Sequence, residues 1–442
     1  MGSNMIERLK IRDATESILA HDAARVISHN DADGLTAAGI LCHALLRLGK
    51  RFHTTIISQL DRGFADRLNA DHHEGVLTVF CDMGSGHSDI ITGVAGDVLV
   101  IDHHTPTGDL ACPHVNPHLV GIDGAFELSA SGAVYAVAKG LSSENIDLSG
   151  LAMAGAIGDK QLMIGANADI LADGVQNKII SVKKGIRIGD GDVSDILEQN
   201  IDLYLDITGD AAKVSEFLGE VGVSGSGRLS ELAEPQLRKL ATALVLKLLQ
   251  RSSPDVIENL IGDVYTLRCE VIPNANDFVS CLNACSRLND PGLALSLCLR
   301  DPAGVSHARR AAVDYQRTLV REMNAAEPSI LHGDHIKYLM LDDAEGTGII
   351  ASTVTGFLYP DQPCIVLNHS DGKIKISARG TKYQVASGLD LAEVLRIASE
   401  SVGGRGGGHS IASGAAIPKG AADAFISTAD SLVGAQLGGE PQ

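Results

Sequence analysis

The sequence predicts an α/β protein whose N-terminal part contains a mainly parallel sheet flanked by helices. Residues 76–80 and 97–101 are nearly uniform apolar runs, as buried parallel strands require, and 25–28 and 52–57 are further strand candidates. Residues 37–48 show helical periodicity and separate the strand candidates at 25–28 and 52–57. Strands that alternate with helices indicate a parallel sheet, and in such sheets ligands bind at the carboxyl ends of the strands.

The character of the sequence changes after this region. Residues 170–190 are rich in Ile, Val, Lys and Gly, which predicts a strand or a linker. We predict an N-terminal domain at 1–190, a mainly helical linker or insertion at 191–330, and a smaller C-terminal α/β domain with a glycine-rich loop at 331–442. Later helices are predicted at 234–251, 292–299 and 305–327, and later strands at 336–341, 364–368 and 373–378.

The chain of 442 residues is strongly acidic, with 36 Lys and Arg against 55 Asp and Glu and a formal net charge of −19. This balance argues against a passive, sequence-blind nucleic-acid binder, which normally carries a basic surface. It is compatible with an enzyme that holds phosphates through metal ions, because bound divalent cations invert the local charge. Aromatic residues make up only 3% of the chain, a poor supply of stacking platforms for long single strands.

The sequence shows no run of 18 or more apolar residues and no export signal. We therefore expect no membrane span, no association with a membrane, and a cytoplasmic location. The eight cysteines form no C-x-x-C pair, so we expect them to be reduced thiols.

The first candidate site follows the first predicted strand and comprises His29, Asp31, Asp33 and Gly34. Carboxylates two residues apart in a loop can face two neighbouring cations, and Gly34 leaves room for the chain to turn into the next helix. The alternative is an Asp-rich turn in which an aspartate caps that helix. Both interpretations stay open at this point.

Two further groups of polar residues directly follow predicted strands. Asp82 comes after 76–80, and Asp102, His103 and His104 come after 97–101. Imidazoles bind Mn²⁺, Fe²⁺ or Zn²⁺, carboxylates suit Mg²⁺ and Mn²⁺, and Asp102 can orient a ligating ring. The alternatives are a strand-end cap and a surface histidine pair. The similar tripeptide at 71–73 precedes a strand, so we predict that it is a solvated turn.

Asp159 completes the acidic set, because it follows Gly158 at the end of a segment of small apolar residues. The alternative is an ordinary aspartate at a helix end. Two cations about 3.5–4 Å apart can clamp a phosphoryl group, lower the pKa of a bound water and stabilise a leaving oxygen. The sequence therefore predicts a two-metal site in one domain, with these residues near strand or helix ends: Asp31, Asp33, Asp82, His103 and Asp159.

A phosphate-binding pattern lies near the C-terminal end. Glycines let backbone N–H groups approach a phosphate closely, and arginine forks onto phosphate oxygens. The alternative for such a glycine-rich stretch is a flexible linker, although an apolar run at 411–417 follows it. The candidate residues are Ser377 and Arg379 at the end of a predicted strand, and Arg405, Gly406, Gly407, Gly408 and His409 in the predicted loop.

The motifs H-x-D-A-D-G, C-D-x-G, D-H-H and G-x-x-G-D, followed by S-x-R and G-G-G-H, resemble in their order the DHH phosphoesterase superfamily. The C-terminal motifs resemble its DHH-associated substrate-binding domain, and the resemblance covers essentially the whole chain. The long mid-section and the segment S-H-N-D-A-D-G-L-T-A are most similar to archaeal RecJ-like single-strand-specific exonucleases.

The resemblance implies a role for each candidate residue. The five acidic and histidine side chains of the two-metal site would hold two Mn²⁺ or Mg²⁺ ions, with Asp82 as the bridge. His104 would contact the scissile phosphate, and Asp102 would support the histidine pair. His29 lies two residues before Asp31, where several branches of the family place a ligand histidine four residues before. It is therefore either a metal ligand or a neighbour that supports one. Arg379, His409 and the backbone of 406–408 would hold substrate phosphates.

The implied activity is metal-dependent hydrolysis of single-stranded DNA or RNA from an end, with release of mononucleotides. Mn²⁺ is the first expectation for the metal and Mg²⁺ the second. One alternative is an oligoribonuclease or cyclic-dinucleotide phosphodiesterase that acts on short substrates. Another is a scaffold in a replication complex, because relatives of the family dock on proteins of the GINS and helicase group.

Overall fold

We describe a computed structural model of the chain that covers residues 5–370 and 372–438. Each helix within these two ranges is too short or too polar to span a lipid bilayer. The strands, in chain order, are β1 (Ala23–His29), β2 (Arg51–Ile57), β3 (Val76–Cys81), β4 (Val98–Ile101), β5 (His114–Val115), β6 (Ile180–Ile186), β7 (Ile261–Leu267), β8 (Leu331–His332), β9 (Lys337–Asp342), β10 (Cys364–Ser370), β11 (Lys373–Arg379), β12 (Arg405–Gly408) and β13 (Ala412–Pro418).

Helix α1 precedes β1, the other α-helices lie between and after the strands, and short 3-10 turns connect several of them. In chain order they are α1 (Arg12–Ala20), α2 (Ala32–Arg47), α3 (Arg62–Ala70), α4 (Ser88–Ile91), α5 (Ala130–Leu141), α6 (Ser149–Gly158), α7 (Gly165–Gln176), α8 (Val193–Gln199), α9 (Ala211–Val221), α10 (Glu234–Leu248), α11 (Pro254–Leu260), α12 (Ala275–Arg287), α13 (Pro291–Cys298), α14 (Val305–Ala326), α15 (Thr347–Thr353), α16 (Lys382–Ala386), α17 (Leu391–Glu400) and α18 (Ala422–Leu437).

The chain divides into two compact units. The N-terminal unit contains the residues up to 183 together with 263–312, and the C-terminal unit contains 184–262 together with the residues from 313 onward. The mid-section at 191–330 is thus shared between the units, so that α12 and α13 belong with the first and α8 to α11 with the second.

The N-terminal unit is built on a five-stranded sheet in the order β2-β1-β3-β4-β5, and all its strand pairs are parallel. The α/β prediction with a parallel sheet flanked by helices is confirmed. Strands β3 and β4 are buried along nearly their whole length, as expected where helices cover both faces. Helix α2 packs against α5, α6 and α13, and its small residues allow close approach, since a Cβ at Gly39 would lie 2.6 Å from Cys298 Cβ.

The C-terminal unit contains a six-stranded mixed sheet in the order β12-β13-β11-β10-β9-β8. Strands β9 and β10 are parallel, and the other pairs are antiparallel. Helices α17 and α18 bury Leu395 and Phe425 against Ile376 of this sheet. A second core in the same unit gathers Leu244 and Phe357 around Val366.

Three local predictions differ from the structure. Residues 165–176, partly covered by the predicted strand or linker at 170–190, form helix α7, and only 180–186 form a strand. The mainly helical mid-section contains strand β7. The predicted glycine-rich loop forms edge strand β12, which pairs with β13 because its glycines fit where side chains cannot: a Cβ at Gly406 would lie 2.6 Å from the carbonyl oxygen of Leu395.

Candidate metal centre

The polar residues that follow three strands meet at one edge of the N-terminal sheet. Strand β1 ends at His29, β3 ends just before Asp82, and β4 ends just before Asp102. In the register of the sheet Ser28 pairs with Cys81, and Cys81 pairs with Ile101, so the following residues lie side by side. The fold therefore brings together side chains that are far apart in the sequence, at the edge where parallel sheets bind ligands.

Asp31 combines the two roles that its sequence position allows. It caps helix α2, because its Oδ1 accepts a hydrogen bond of 2.9 Å from the backbone N–H of Gly34. Its other oxygen, Oδ2, lies 2.9 Å from His29 Nδ1. Gly34 is needed for this turn, since a Cβ there would lie 2.4 Å from the carbonyl oxygen of His29. Asp31 can therefore cap the helix through Oδ1 and still offer Oδ2 to a metal ion.

Asp33 is completely buried and held by a second helix. Its two oxygens accept hydrogen bonds from the backbone N–H groups of Ala130, at 2.7 Å, and Ser131, at 3.0 Å. These groups lie at the start of α5, where the helix dipole favours a negative charge. Gly155 on α6 permits this arrangement, because a Cβ there would lie 2.3 Å from Asp33 Oδ1. The carboxylate is therefore fixed in one orientation.

Asp82 is the buried carboxylate at the middle of the cluster. Within the described ranges, neither of its oxygens has a hydrogen-bond partner. Burial and the negative charge of Asp31 raise the pKa of Asp82 to about 6, although His103 and His29 act in the opposite direction. The nearest histidine nitrogens are His103 Nε2, 3.3 Å from Oδ1, and His29 Nδ1, 3.5 Å from Oδ2, and a buried carboxylate is costly unless cations of this kind or a metal ion compensate it. The residue thus fits a divalent metal ion.

His103 presents one ring nitrogen to three carboxylates. Its Nδ1 lies 2.7 Å from the carbonyl oxygen of Gly124, which can only accept, so the proton on this nitrogen is fixed. Its Nε2 lies 3.3 Å from Asp82 Oδ1, 3.2 Å from Asp159 Oδ2 and 3.9 Å from Asp33 Oδ2. Burial lowers the pKa of His103, but Asp82 and the other carboxylates outweigh it and raise the pKa well above its ordinary value. The Nε2 atom can bind a metal ion once it has lost its own proton.

Asp102 positions the two histidines and does not face the acidic cluster as a free ligand. Its Oδ1 accepts hydrogen bonds from the backbone N–H groups of His103 and His104 and lies 2.8 Å from His104 Nδ1. Its Oδ2 accepts a hydrogen bond of 2.8 Å from the N–H of Ser85. The His104 side chain is 54% exposed, and its hydrogen bond with Asp102 raises its pKa. His104 can therefore carry a positive charge near neutral pH.

The five predicted metal ligands and His29 come together in the structure. The acidic and histidine side chains form three groups, and within each group the possible ligand atoms all lie within 4.8 Å of one another. Each group contains Asp82, His103 or both. The tripeptide at 71–73, by contrast, is an exposed turn before β3, as predicted. The three groups are His29, Asp31 and Asp82; Asp33, His103 and Asp159; and Asp82, Asp102, His103 and His104.

Several supporting residues of this centre were not found by sequence reasoning. Gly124 accepts hydrogen bonds from His103 and from Gln161 Nε2, at 2.8 Å. Asn116 donates to the carbonyl oxygen of His104 and to Ser85 Oγ, both at 2.9 Å. The sequence gives no signal for these contacts, because they join segments that are far apart along the chain.

The predicted phosphate-binding residues all lie in the C-terminal unit, on or next to three adjacent strands. Ser377 and Arg379 are on β11, residues 405–408 form β12, and His409 follows β12. Among the described residues no carboxylate forms an ion pair with Arg379, although burial is strong enough to lower its pKa. Its Nη1 donates to the carbonyl oxygen of Ala378 at 2.8 Å, and a Cβ at Gly348 would lie 2.8 Å from its Nη2. A half-buried guanidinium without a carboxylate partner among the described residues is suited to bind an anion.

Comparisons with known proteins agree with this arrangement. The model of the N-terminal domain of the DHH family matches residues 24–158, and the DHHA1 domain model matches residues 341–435. An uncharacterized protein of Methanocaldococcus jannaschii is 30% identical over 98% of this chain and 100% of its own length. The chain belongs to the DHH family. As a DHH-family phosphoesterase with a DHHA1 domain, it is a metal-dependent hydrolase of phosphoester bonds.

Solved structures with the same fold match this DHH-family chain over nearly its whole length. RecJ from Thermus thermophilus in complex with Mn²⁺ is 20% identical with a TM-score of 0.61, and the match covers 98% of this chain. The chain spans only 55% of the length of that RecJ. CDC45 from Entamoeba histolytica has a TM-score of 0.66 at 11% identity, with 97% of each chain covered. At these identities the similarity shows the fold alone.

Proposed function

We propose that the chain is a two-metal phosphodiesterase that hydrolyses single-stranded nucleic acid from an end and releases mononucleotides, as RecJ-like exonucleases do. The observation that carries the proposal is Asp82, a buried carboxylate with no hydrogen-bond partner among the described residues, surrounded by further acidic and histidine side chains. The strong similarity in fold to two RecJ structures determined with manganese supports the same conclusion.

In this proposal two Mn²⁺ ions, or alternatively two Mg²⁺ ions, are held by His29, Asp31, Asp33, Asp82, His103 and Asp159. When bound, such ions polarise phosphoryl oxygens, lower the pKa of a bound water and stabilise the leaving oxygen. Asp33 and Asp31 keep their orientation through helix N-termini, so the ligand set is pre-organised before a metal ion arrives. The hydrogen bond from His103 Nδ1 to Gly124 directs the other ring nitrogen toward the carboxylates.

His104 is proposed to donate a hydrogen bond from its exposed ring nitrogen to an oxygen of the scissile phosphate. Asp102 is a positioning residue, because its Oδ1 holds His104 Nδ1 at 2.8 Å and keeps that ring charged. A cationic donor at this place stabilises the negative charge that develops on the phosphate oxygens during hydrolysis.

We expect His104→Gln to lower kcat by about 100-fold, the usual loss for one donor to developing charge. Mn²⁺ affinity should stay within about threefold, because the side chain is placed outside the metal ligand set. The matched control is His73→Gln in the exposed turn at 71–73, which should behave as the wild type. A large loss of Mn²⁺ affinity in His104→Gln, measured by calorimetry, would instead make His104 a metal ligand.

In the C-terminal unit, Arg379 is proposed to hold a substrate phosphate, together with Ser377, Arg405, His409 and the backbone of 406–408. The absence of an ion pair at Arg379 within the described ranges leaves its guanidinium available for this role. As an edge strand, β12 has one row of backbone groups that pair with no neighbouring strand, and N–H groups of this kind bind phosphate oxygens.

Arg379→Met should therefore raise KM about tenfold or more and change kcat less, since one charge-assisted hydrogen bond contributes about 1.5–3 kcal/mol. The control is Arg396→Met, which removes an exposed ion pair with Glu400 in the same unit. Steady-state kinetics on a short oligonucleotide measures both constants. Unchanged KM and kcat in Arg379→Met would remove Arg379 from the substrate site.

The proposed function is tested with 5′-labelled and 3′-labelled single strands of DNA and RNA, about 3 and 30 nucleotides long, incubated with Mn²⁺, Mg²⁺ or EDTA. Metal-dependent release of mononucleotides from the long strands is the expected result, and the label released first gives the polarity. Cleavage confined to the short strands would replace the exonuclease by an oligonucleotide phosphodiesterase. No cleavage by folded, metal-loaded protein would favour a scaffold role, to which the similarity with CDC45 in fold would then be relevant.

A further inference from the structure

A surface cavity of about 300 Å³ lies in the N-terminal unit next to the candidate metal centre. It forms at the carboxyl end of β2, where Ile57 is paired in register with His29 at the end of β1. Asn30, which lies between the candidate ligands His29 and Asp31 in the sequence, is part of the cavity wall. The cavity is therefore on the ligand-binding edge of the sheet, one strand away from the metal centre.

Part of the wall comes from the region where α12 connects to α13. Ser286 in the last turn of α12, Asn289 in the connection and Pro291 at the start of α13 line the cavity. They lie outside both the region matched by the DHH family model and the region matched by the DHHA1 model. The cavity is thus formed jointly by the family fold and by the mid-section of this chain, and family membership assigns it no role.

The lining offers amide groups and only two charged side chains. Asn30, Gln59 and Asn289 each carry a side-chain amide, which supplies two donors and one acceptor oxygen. Asp61 and Arg67 are the charged lining residues, and their opposite charges balance. Such a surface does not select a strongly charged ligand. Amides that combine donors and acceptors match the hydrogen-bonding edge of a nucleobase.

The apolar part of the lining complements the face of a base. Phe64 and Ile57 line the cavity and are partly buried against the core. The guanidinium carbon of Arg67 lies 5.7 Å from the centre of the Phe64 ring. Aromatic rings and arginine planes are the surfaces on which proteins stack bases. The volume is at the lower end of the range of about 300–1,000 Å³ for small-ligand sites, which fits one base with its sugar.

We propose that this cavity is a nucleoside subsite that holds the base of the substrate residue next to the scissile phosphate. The inference rests on the proposed function and deepens it, because it names the part of the chain that distinguishes a nucleic acid from a simple phosphodiester. Gln59 and Asn289 bind the edge of the base, and Phe64 with Arg67 contacts its face.

The first test is equilibrium dialysis of radiolabelled AMP, CMP, GMP and UMP against the Mn²⁺-loaded full chain, with inorganic phosphate as competitor. The variant combines Gln59→Ala with Asn289→Gly, since Asn289 has φ 57° and glycine keeps that backbone without strain. Both side chains are exposed, so the fold should tolerate their loss. Gln176→Ala, an exposed glutamine on α7 outside the cavity, is the matched control.

We expect at least one nucleotide to bind more tightly to the wild type than phosphate does, and its Kd to rise about tenfold in the double variant but not in the control. Equal binding by wild type and double variant would overturn the subsite, as would wild-type binding no tighter than that of inorganic phosphate.

A second readout separates this inference from the proposed function. An oligonucleotide that lacks one base should be hydrolysed more slowly by the wild type, with the abasic residue placed at each position in turn. The double variant should lose this sensitivity, because it has already lost the contacts to the base. If the wild type binds nucleotides in the cavity but hydrolyses no strand, the proposed function fails and the subsite stands. If it hydrolyses strands and the double variant equals it on both substrates, the subsite fails and the function stands.

Discussion

Asp82→Asn is expected to lower kcat for phosphodiester hydrolysis by about 1,000-fold or more without loss of the fold. A bound metal ion contributes several kilocalories per mole of charge stabilisation in the transition state, and each 1.36 kcal/mol corresponds to a factor of ten. Asp82 belongs to two of the three candidate ligand groups, and His103 links the third group to one of these two. Asparagine is the appropriate replacement because Asp82 has φ 57°, a conformation that asparagine tolerates and alanine does not.

The same variant should also change stability in a direction that an ordinary structural residue would not. The pKa of Asp82 is raised from 3.8 to about 6 in the folded, metal-free protein. The folded state therefore binds this proton more tightly, and the metal-free wild type loses stability as the pH rises from about 4 through 6. Asp82→Asn lacks this titrating group, so its melting temperature in EDTA should fall less than that of the wild type between pH 5 and pH 7.5.

Thermal unfolding in EDTA at pH 5 and pH 7.5, together with hydrolysis in Mn²⁺, measures both effects. The exposed Asp66 provides a matched control, since Asp66→Asn should leave kcat and melting temperature unchanged. An Asp82→Asn protein with wild-type activity would refute the metal centre. A folded wild type that is equally stable at the two pH values would refute the raised pKa of Asp82.

The second large effect concerns the linkage of metal binding to pH. Burial lowers the pKa of His29, but contacts with Asp31 and Asp82 outweigh it and raise the pKa to about 10. The pKa of His103 is raised well above its ordinary value by the carboxylates around it. Both rings are therefore protonated on both nitrogens, and positively charged, at pH 7 in the metal-free protein. A ligating histidine must be neutral, so each one that binds a metal ion releases a proton.

Mn²⁺ affinity should consequently rise about tenfold per pH unit for each proton released, over the range from pH 6 to 8. Calorimetry in two buffers with different ionisation enthalpies counts the released protons directly. The control is His53→Ala on the exposed edge of β2, which should release as many protons as the wild type. His29→Ala should release one fewer if His29 is a ligand and the same number if it stays protonated beside the metal. An affinity independent of pH in this range would contradict the protonated cluster.

The parallel sheet and the edge that carries the candidate site were predictable from the sequence because both follow from local patterns. The short apolar strands were recognisable in the sequence, and Asp82 and Asp102 directly follow two of them. Parallel pairing of these two strands then places the two residues side by side. The partners of these residues were not predictable in the same way. Asp33 is held by the start of α5, 97 residues away along the chain, and His103 by the carbonyl oxygen of Gly124. Backbone groups of this kind have no signature in the side-chain sequence.

The elements that differ from the predictions have weak local preferences. Helix α7 lacks a side-chain cap and contains two glycines, but Ala166, Ile170 and Gly174 recur every four residues and mark its buried face. That spacing was the available signal. Strand β12 consists of one arginine and three glycines, which carry no strand preference, so its pairing depends on β13 beside it.

The measurement that tests the central claim most directly is anomalous diffraction at the manganese absorption edge from crystals of the full chain grown or soaked with Mn²⁺. The account predicts two anomalous peaks in the N-terminal unit, with the carboxylate of Asp82 within bonding distance of at least one and His103 Nε2 turned toward the same site. Loss of these peaks in Asp82→Asn crystals would complete the assignment. Full Mn²⁺ occupancy elsewhere in the chain, with none at Asp82, would contradict it.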